Sequence, residues 1–427
     1  MSTTQTLPIP PFALAAGRRL LADADGCADP VAGARLLPRS AYVDPDVFEF
    51  EKHTVFSREW LCIAHENEVP EPGDVLALTV VDEPLLVVRG ADGDVRVLSA
   101  TCQHRGHPLF DGLAALGEDA GCVKAKRLTC PYHGWVYNLD GRLAAAPTMQ
   151  ETTPVETLRA TVALPSVRSE VFHGLVFVNF DDDATPLAPT LGKLDAELTT
   201  FGLPDLSAMP GSTRTGLGWN WKLHHDNALE PYHTAYVHKG VHEAAPATNA
   251  RFCDFERGDG QVMHPTYLVS EDASLDNVSG ARLTAAIPGL GDEQRKRVMF
   301  ASVPPLLFAI LQPTFVSLSF VLPVAHDEIA LRRVDLYPKV AVEEEGFAEA
   351  YAAQQARKKV AITQDQTTLR ALQRGYRSRF APRGPLSWLE ATIPQMSSWI
   401  LDSYTAGLAA AEASLPEVPV ELAPGAH

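Results

Sequence analysis

Cysteine is scarce: six residues in a chain of 427, at Cys27, Cys62, Cys102, Cys122, Cys130 and Cys253. That is too few for a disulfide scaffold, and in a cytosolic protein cysteines at short fixed spacings more often hold metals. Long apolar runs are missing too. No stretch approaches the roughly 20 apolar residues a membrane-spanning helix requires. The first thirty residues lack the basic, apolar and small-residue segments of a secretory leader. No membrane association and a cytoplasmic location are therefore expected. Positive charge is in short supply, with 36 Lys and Arg against 53 Asp and Glu, a formal net charge of −17. Such a surplus of acid repels phosphate backbones and anionic bilayers, which argues against nucleic acid, and favours solubility and basic partner proteins. Hydrophobic residues are not lacking: at 46% hydrophobic and 21% charged, the chain has the composition of a folded globular protein.

The length suggests two or three domains. Residues 1–37 are rich in Ala, Pro and Gly without sustained periodicity, and read as an arm or poorly packed lead-in suited to packing on a neighbouring subunit. From Trp60 short β-rich runs follow, Val75 to Val81, Leu85 to Arg89 and Val95 to Leu98. The turn pairs Asp92-Gly93 and Asp140-Gly141 punctuate them, which predicts a small antiparallel β module. Phe172 to Phe180 reads as a buried strand, and the Asp- and Pro-rich stretch after it precedes a helix around Leu191 to Phe201. Between 212 and 340 helical and strand-like runs alternate, including the apolar Pro305 to Pro323, and Glu345 to Gln373 has the Ala, Gln, Arg and Lys content of a long helix. No internal repeat is visible. The expected class is α+β, with an arm over 1–45, a β-rich module over 46–165 and a larger α+β domain over 166–427.

Chemistry concentrates in two places. The first is Cys102-Gln103-His104-Arg105-Gly106 with Cys130-Pro131-Tyr132-His133-Gly134-Trp135, a Cys-x-His and a Cys-x-x-His pair, each on a loop between short β runs. Two thiolates and two imidazoles suit either a tetrahedral zinc or a two-iron cluster with cysteines on one iron and histidines on the other. Buried thiols beside unrelated histidines are the plainest alternative. Three details favour the cluster: the one-residue gap in the first pair, the glycine after each pair where backbone comes close to a bulky inorganic core, and the β setting.

The second place is the helix-compatible run Trp219 to Gly240, which holds His224, His225, Asp226, Glu230, His233 and His238. A non-haem iron that handles dioxygen needs two histidines and a carboxylate on one face, with open positions beside them. His233 and His238 are the two candidate nitrogens. Five apart, they would sit roughly 140° from each other on a regular helix, so the helix must distort or end between them.

Taken together, the run CQHRG and the later CPYHGWVYNLDGRL resemble the Rieske domain of aromatic-ring-hydroxylating and related oxygenases. One departure is visible: 25 residues separate His104 from Cys130, with GLAALGEDAGCVKAKR as an insertion. The second run resembles the iron-site motif of the same family, with Asp226, Asn227, Glu230, His233 and His238 at matching positions. The resemblance implies an antiparallel β Rieske domain and a catalytic domain with a central antiparallel sheet and flanking helices. It implies a [2Fe-2S] cluster on Cys102, His104, Cys130 and His133, and a mononuclear Fe(II) on His233, His238 and a carboxylate from a late helix. There Thr363 to Gly375 matches at Asp365, Gln373 and Gly375, with Arg370 replacing a frequent second acid. Asp365 is the expected ligand, and Asp335 and Asp402 are the alternatives. Glu230 is implied as the catalytic bridge between an iron-ligand histidine and His133 of a neighbouring subunit in a homotrimer, with Asn227 and Asp226 behind the ligands.

The chain has no Gly-rich dinucleotide fingerprint after a strand and no second set of four cysteines spaced for a ferredoxin. The resemblance then implies that electrons from NAD(P)H arrive through a separate reductase or ferredoxin, with O2 as co-substrate and a small molecule as substrate. The three-residue step from Asn227 to Glu230 is similar to that of single-subunit-type enzymes that monohydroxylate or demethylate, including those acting on quaternary ammonium compounds. Ring cis-dihydroxylation is the alternative, and an electron carrier or a zinc-stabilised binding module is the reading from another class. Phe308, Phe315, Phe320, Trp388 and Trp399 are candidate pocket walls.

Overall fold

The computed structural model describes residues 8–110, 122–275 and 284–413. The inserted loop between the two Cys/His pairs falls largely outside them. Among the described residues no helix is long and apolar enough to cross a membrane.

Runs rich in Val and Leu pair as the alternation predicts. Asp74–Val80 and Glu83–Arg89 form a hairpin in which Val75 faces Val88 and Leu76 faces Val87, cross-strand pairs that favour this register. They belong to a seven-stranded antiparallel sheet whose strands run in the order Leu61–His65, Leu175–Asn179, Ser166–Phe172, Val95–Ser99, Glu83–Arg89, Asp74–Val80 and Val123–Lys124. This sheet runs past residue 165, since Ser166–Phe172 and Leu175–Asn179 are two of its inner strands. Leu128–Thr129, Val136–Tyr137 and Leu143–Ala145 make a small separate sheet.

A second seven-stranded antiparallel sheet holds Leu206–Ala208, Ser212–Leu217, Val262–Tyr267, Arg297–Val303, Leu307–Gln312, Phe315–Ala325 and Glu328–Pro338. The last two are eleven-residue strands of one hairpin, and Phe315 to Pro323 is buried on both faces, which explains a mainly apolar sequence broken only by Ser317 and Ser319. The Trp221–Leu229 helix packs on this sheet, and the 30-residue Phe347–Tyr376 helix packs on that helix in turn. Gln373 fastens the two: its Oε1 accepts from the Asn220 backbone N–H at 2.8 Å, and its Nε2 donates to the Tyr42 carbonyl at 2.9 Å.

The N-terminal stretch differs from its reading as a loosely packed arm. Pro11–Ala22 is a helix whose Ala13, Leu14, Ala16 and Leu20 are buried in the main core against the Pro45–Thr54 and Thr392–Ala413 helices of the same chain. The periodicity is faint because Ala13, Ala16 and Gly17, which add little to a hydrophobic pattern, are three of its five buried residues.

These N- and C-terminal helices are latched to the site-bearing helix by buried charge. Lys222 Nζ lies 2.5 Å from Glu51 Oε1, both side chains fully buried, while Trp221 Nε1 donates to Glu51 Oε2 at 3.0 Å and the Tyr404 hydroxyl also bonds Glu51. Burial pulls the Lys222 pKa down, opposed by Glu51. Removing one partner strands the other, so Lys222→Met is expected to cost about 3–5 kcal/mol. A large drop in the chemical-denaturation midpoint checks this; an unchanged midpoint would show that the latch carries no stability.

Candidate functional site

The first cluster of candidate ligands is built from two loops with matching backbones. In one, Gly106 N–H bonds the Cys102 carbonyl at 2.9 Å and Cys102 N–H bonds the His107 carbonyl at 3.0 Å; in the other, Gly134 N–H bonds the Cys130 carbonyl at 3.1 Å and Cys130 N–H bonds the Trp135 carbonyl at 2.8 Å. Both loops turn through glycine at positive φ, 75° at Gly106 and 68° at Gly134. The glycines are thus needed for the left-handed turn; no protein atom crowds a Cβ at Gly106. Cys102 and Cys130 are buried, whereas His133 is exposed and His104 half-buried. His104 stacks on Trp135 at 4.8 Å and meets His133 edge-on at 4.7 Å. Its Nδ1 is buried without a partner. Burial raises the Cys102 thiol pKa, and the Tyr137 hydroxyl 3.3 Å from its sulfur opposes that rise.

Two sulfurs inside and two imidazoles outside are an arrangement that fits a two-iron core. Four donors about 2.0–2.3 Å from one zinc would all crowd together. Among the described residues, the group of His, Cys and acidic side chains whose donor atoms all lie within 4.8 Å of one another is His233, His238 and Asp365; the Cys/His four do not form one.

That trio is assembled by a broken helix. Trp221–Leu229 begins at Asn220, whose side chain caps the Lys222 N–H, and stops where Glu230 turns extended at φ −104° and ψ 129°. A short Thr234–Val237 turn follows, and His238 leaves helical geometry at φ −101° and ψ 41°. The break brings the two Nε2 atoms to 3.2 Å. Asp365, on the Phe347–Tyr376 helix, places Oδ1 2.9 Å from His238 Nε2 and 3.6 Å from His233 Nε2.

The far side of each ring fixes its tautomer. His233 Nδ1 lies 2.6 Å from Glu230 Oε1, and His238 Nδ1 lies 2.9 Å from Gln364 Oε1; both partners are acceptors, so each Nδ1 carries the proton. In the neutral form of each ring Nε2 is then a lone pair, and both lone pairs converge on the Asp365 carboxylate oxygen. Three lone pairs in one spot repel unless a cation sits among them, and two histidines with one carboxylate suit iron(II) with positions left open. The alternative carboxylates are engaged elsewhere, Asp335 by Lys358 at 2.8 Å and Gln355 at 2.7 Å, and Asp402 by Arg257 at 3.0 Å.

Glu230 accepts a second bond from the His233 backbone N–H at 3.0 Å. Asn227 lines the cavity beside the trio. Asp226 points away from it into the core, where Tyr42 donates to Oδ2 at 3.0 Å and burial pushes the carboxyl up to about 7, against Tyr42 and Lys222. A folded-state pKa raised this far means stability present at low pH and lost as pH rises from about 4 through about 7. Asp226→Asn, which keeps an acceptor for Tyr42, is expected to match the wild type near pH 4 and exceed it in stability at pH 8. Denaturation at the two pH values checks this, and a gap that does not grow with pH would contradict it.

The trio lies in the floor of a cavity walled by Phe300, Phe308, Ile310 and Leu331 from the second sheet. Of the aromatics expected from sequence, Phe308 lines it. Phe315 stacks on Tyr337 at 5.0 Å, Phe320 is core beneath Arg332, Trp388 is half-exposed against Phe252, and Trp399 packs on the main core. Three participants escaped the sequence reading: Gln364, His242, which stacks on His238 at 5.1 Å, and Arg333 in the wall. His242 is held neutral, its pKa lowered to about 3 by burial and the adjacent histidines. Its place four residues after His238 was the only signal available.

Comparison with known proteins follows the same division. The family profile of the Rieske [2Fe-2S] domain matches residues 59–165, and that of the ring hydroxylating alpha subunit catalytic domain matches residues 203–406. The carnitine monooxygenase oxygenase subunit of Escherichia coli (strain K12) is 34% identical over 221 residues, 51% of this chain and 56% of that protein. The chlorobenzene dioxygenase subunit alpha of Cupriavidus sp. (strain PS12) is 34% identical over 201 residues, 45% of this chain and 42% of that protein. The chain thus spans about half the length of the curated relatives it matches. Among solved structures, a quaternary ammonium Rieske monooxygenase superposes with a TM-score of 0.71 at 23% identity, covering 89% of this chain and 98% of that one. Naphthalene 1,2-dioxygenase from Rhodococcus sp. superposes with a TM-score of 0.75 at 20% identity, covering 93% and 99%; both show a shared fold. The chain belongs to the Rieske non-haem iron oxygenase family.

Proposed function

We propose that this chain is the oxygenase component of an enzyme that uses O2 and externally supplied electrons to hydroxylate, or oxidatively demethylate, a small organic substrate. The observation that carries the reading is the convergence of His233 Nε2, His238 Nε2 and Asp365 Oδ1 in the floor of a largely apolar cavity, in a chain that also presents the two Cys/His loops. Cys102, His104, Cys130 and His133 would hold the [2Fe-2S] cluster, and His233, His238 and Asp365 the mononuclear iron. Bound there, the two centres supply stored electrons and dioxygen activation.

The protein's own residues do the rest. Glu230 and Gln364 hold the proton on Nδ1 of each histidine, leaving Nε2 free to coordinate. Phe300, Phe308, Ile310 and Leu331 exclude water and orient an apolar part of the substrate. Glu230 bridges His233 to His133 of a neighbouring subunit in a homotrimer, and the exposure of the His133 ring suits such a contact. The electron donor is a separate reductase or ferredoxin, in the cytoplasm, docking on a subunit of net charge −17.

Monooxygenation is favoured by the likeness to carnitine monooxygenase and the three-residue step from Asn227 to Glu230. The test is turnover with a reductase, NADH and ¹⁸O2 on quaternary ammonium and aromatic compounds. A product carrying one labelled oxygen, or formaldehyde released from a methyl group, supports the proposal. A doubly labelled cis-diol moves it to ring dihydroxylation, and the absence of any O2- and reductase-dependent product overturns it.

A further inference from the structure

The cavity wall contains an arginine that no carboxylate or carbonyl bonds among the described residues. Arg333 lies on the Glu328–Pro338 strand opposite Ser319 and Ser212, and its side chain lines the cavity together with Trp219, His224 and Gln366. Neighbouring arginines are engaged: Arg332 bonds Glu68, Arg297 lies 2.6 Å from Glu197, and Arg357 of the same wall donates to the Leu275 and Val241 carbonyls at 2.8 Å. Among the described residues no acceptor or acid reaches the Arg333 guanidinium, and its Nε is buried without a partner. Asp335 and Asp365 are near enough to feel its charge, but neither bonds it: Asp335 takes Lys358 and Gln355 on Oδ2 and leaves Oδ1 buried without a partner, and Asp365 faces the histidines.

Nor is Arg333 alone. Trp219 Nε1, His224 Nδ1 and Gln366 Nε2, on three other side chains of the same wall, are also buried without partners. Two of these atoms are obligatory donors, and His224 Nδ1 can become one by tautomerism. Apart from Asp365 Oδ1, which belongs to the metal trio, the buried polar atoms of this wall that lack a partner among the described residues are donors or can become donors. Buried polar groups left unpaired are unfavourable, and a fold that keeps several of them around one cavity leaves the acceptor to be supplied by a ligand. A planar guanidinium is matched by a carboxylate or sulfonate, which takes two parallel N–H bonds.

We infer that Arg333 is a specificity-determining residue that seats an anionic headgroup, carboxylate or sulfonate, of the substrate. The inference rests on the oxygenase reading of the cavity and narrows its substrates to small organic anions, with the apolar remainder against Phe300 and Phe308. Neutral hydrocarbons would leave the guanidinium unpaired and are disfavoured.

Binding without turnover tests it, by calorimetric titration of the purified oxygenase with matched pairs: benzoate and benzamide, benzenesulfonate and benzenesulfonamide, hexanoate and hexanamide. At least one acid is expected to bind about tenfold tighter than its amide, and Arg333→Gln to abolish that preference while leaving amide binding within about twofold. Arg333→Lys should retain part of it, and unchanged iron and sulfide content in both variants shows that they fold. Equal binding of acids and amides, no binding of any acid, or a preference that survives Arg333→Gln overturns the inference. Because no turnover is involved, a protein that binds acids through Arg333 but forms no oxygenated product would refute the oxygenase reading and leave the anion site standing.

Discussion

Asp365→Ala protein is expected to purify with about two irons per chain in place of about three and to lose at least about 100-fold in turnover, while its cluster spectrum is unchanged. The physical reason is local. Asp365 Oδ1 supplies the negative charge that meets two neutral Nε2 lone pairs, and two imidazoles alone bind a ferrous ion weakly. The Phe347–Tyr376 helix that carries it buries few of its residues, among them Leu369 and Gln373, and Asp365 itself makes no structural hydrogen bond through Oδ1. The fold therefore has little reason to depend on it, and loss of iron with retained thermal stability is the expected pair of results. Full iron content in Asp365→Ala would mean that another acid completes the site. Asp335 and Asp402, tied to Lys358 and Arg257, are poorly placed to do so.

The second large effect separates holding iron from using it. Glu230→Gln keeps an amide oxygen that can accept from His233 Nδ1–H, so the tautomer and both metals should be retained. What is lost is the negative charge 2.6 Å from that ring, which makes His233 a stronger ligand and stabilises positive charge on its partners. Product formation is expected to fall about 100-fold, with the reduced cluster reoxidised slowly in single-turnover stopped-flow traces. Rapid cluster oxidation coupled to product in Glu230→Gln would remove Glu230 from the electron route. Loss of iron in this variant would reassign it to holding the histidine in place.

Much of this was legible in the residues themselves. Cys102, His104, Cys130 and His133 could be picked out because side chains of this type at such short spacings have few other uses, and the matched loops explain the spacing: each pair brackets a turn closed by a glycine in the left-handed region. The five-residue step from His233 to His238 required a broken helix, and the chain does break at Glu230. Other features were invisible for definable reasons. Gln364 holds His238 from a helix more than a hundred residues away, a contact set by tertiary packing with no local pattern. Arg333 sits in an unremarkable strand next to Arg332, and only the distribution of acids in space reveals that one of the two is paired and the other is not. The N-terminal helix has only a faint periodic trace because small residues pack tightly against Phe50. Of the aromatics expected as pocket walls, most fill the core; hydrophobicity alone does not say which side of a buried strand faces empty space.

Two different iron centres in one chain leave a countable signature in iron and acid-labile sulfide analysis combined with electron paramagnetic resonance of the anaerobically purified, dithionite-reduced protein. About three irons and about two sulfides per chain with a Rieske-type signal are the expected result. About one zinc per chain, no labile sulfide and no signal would contradict it.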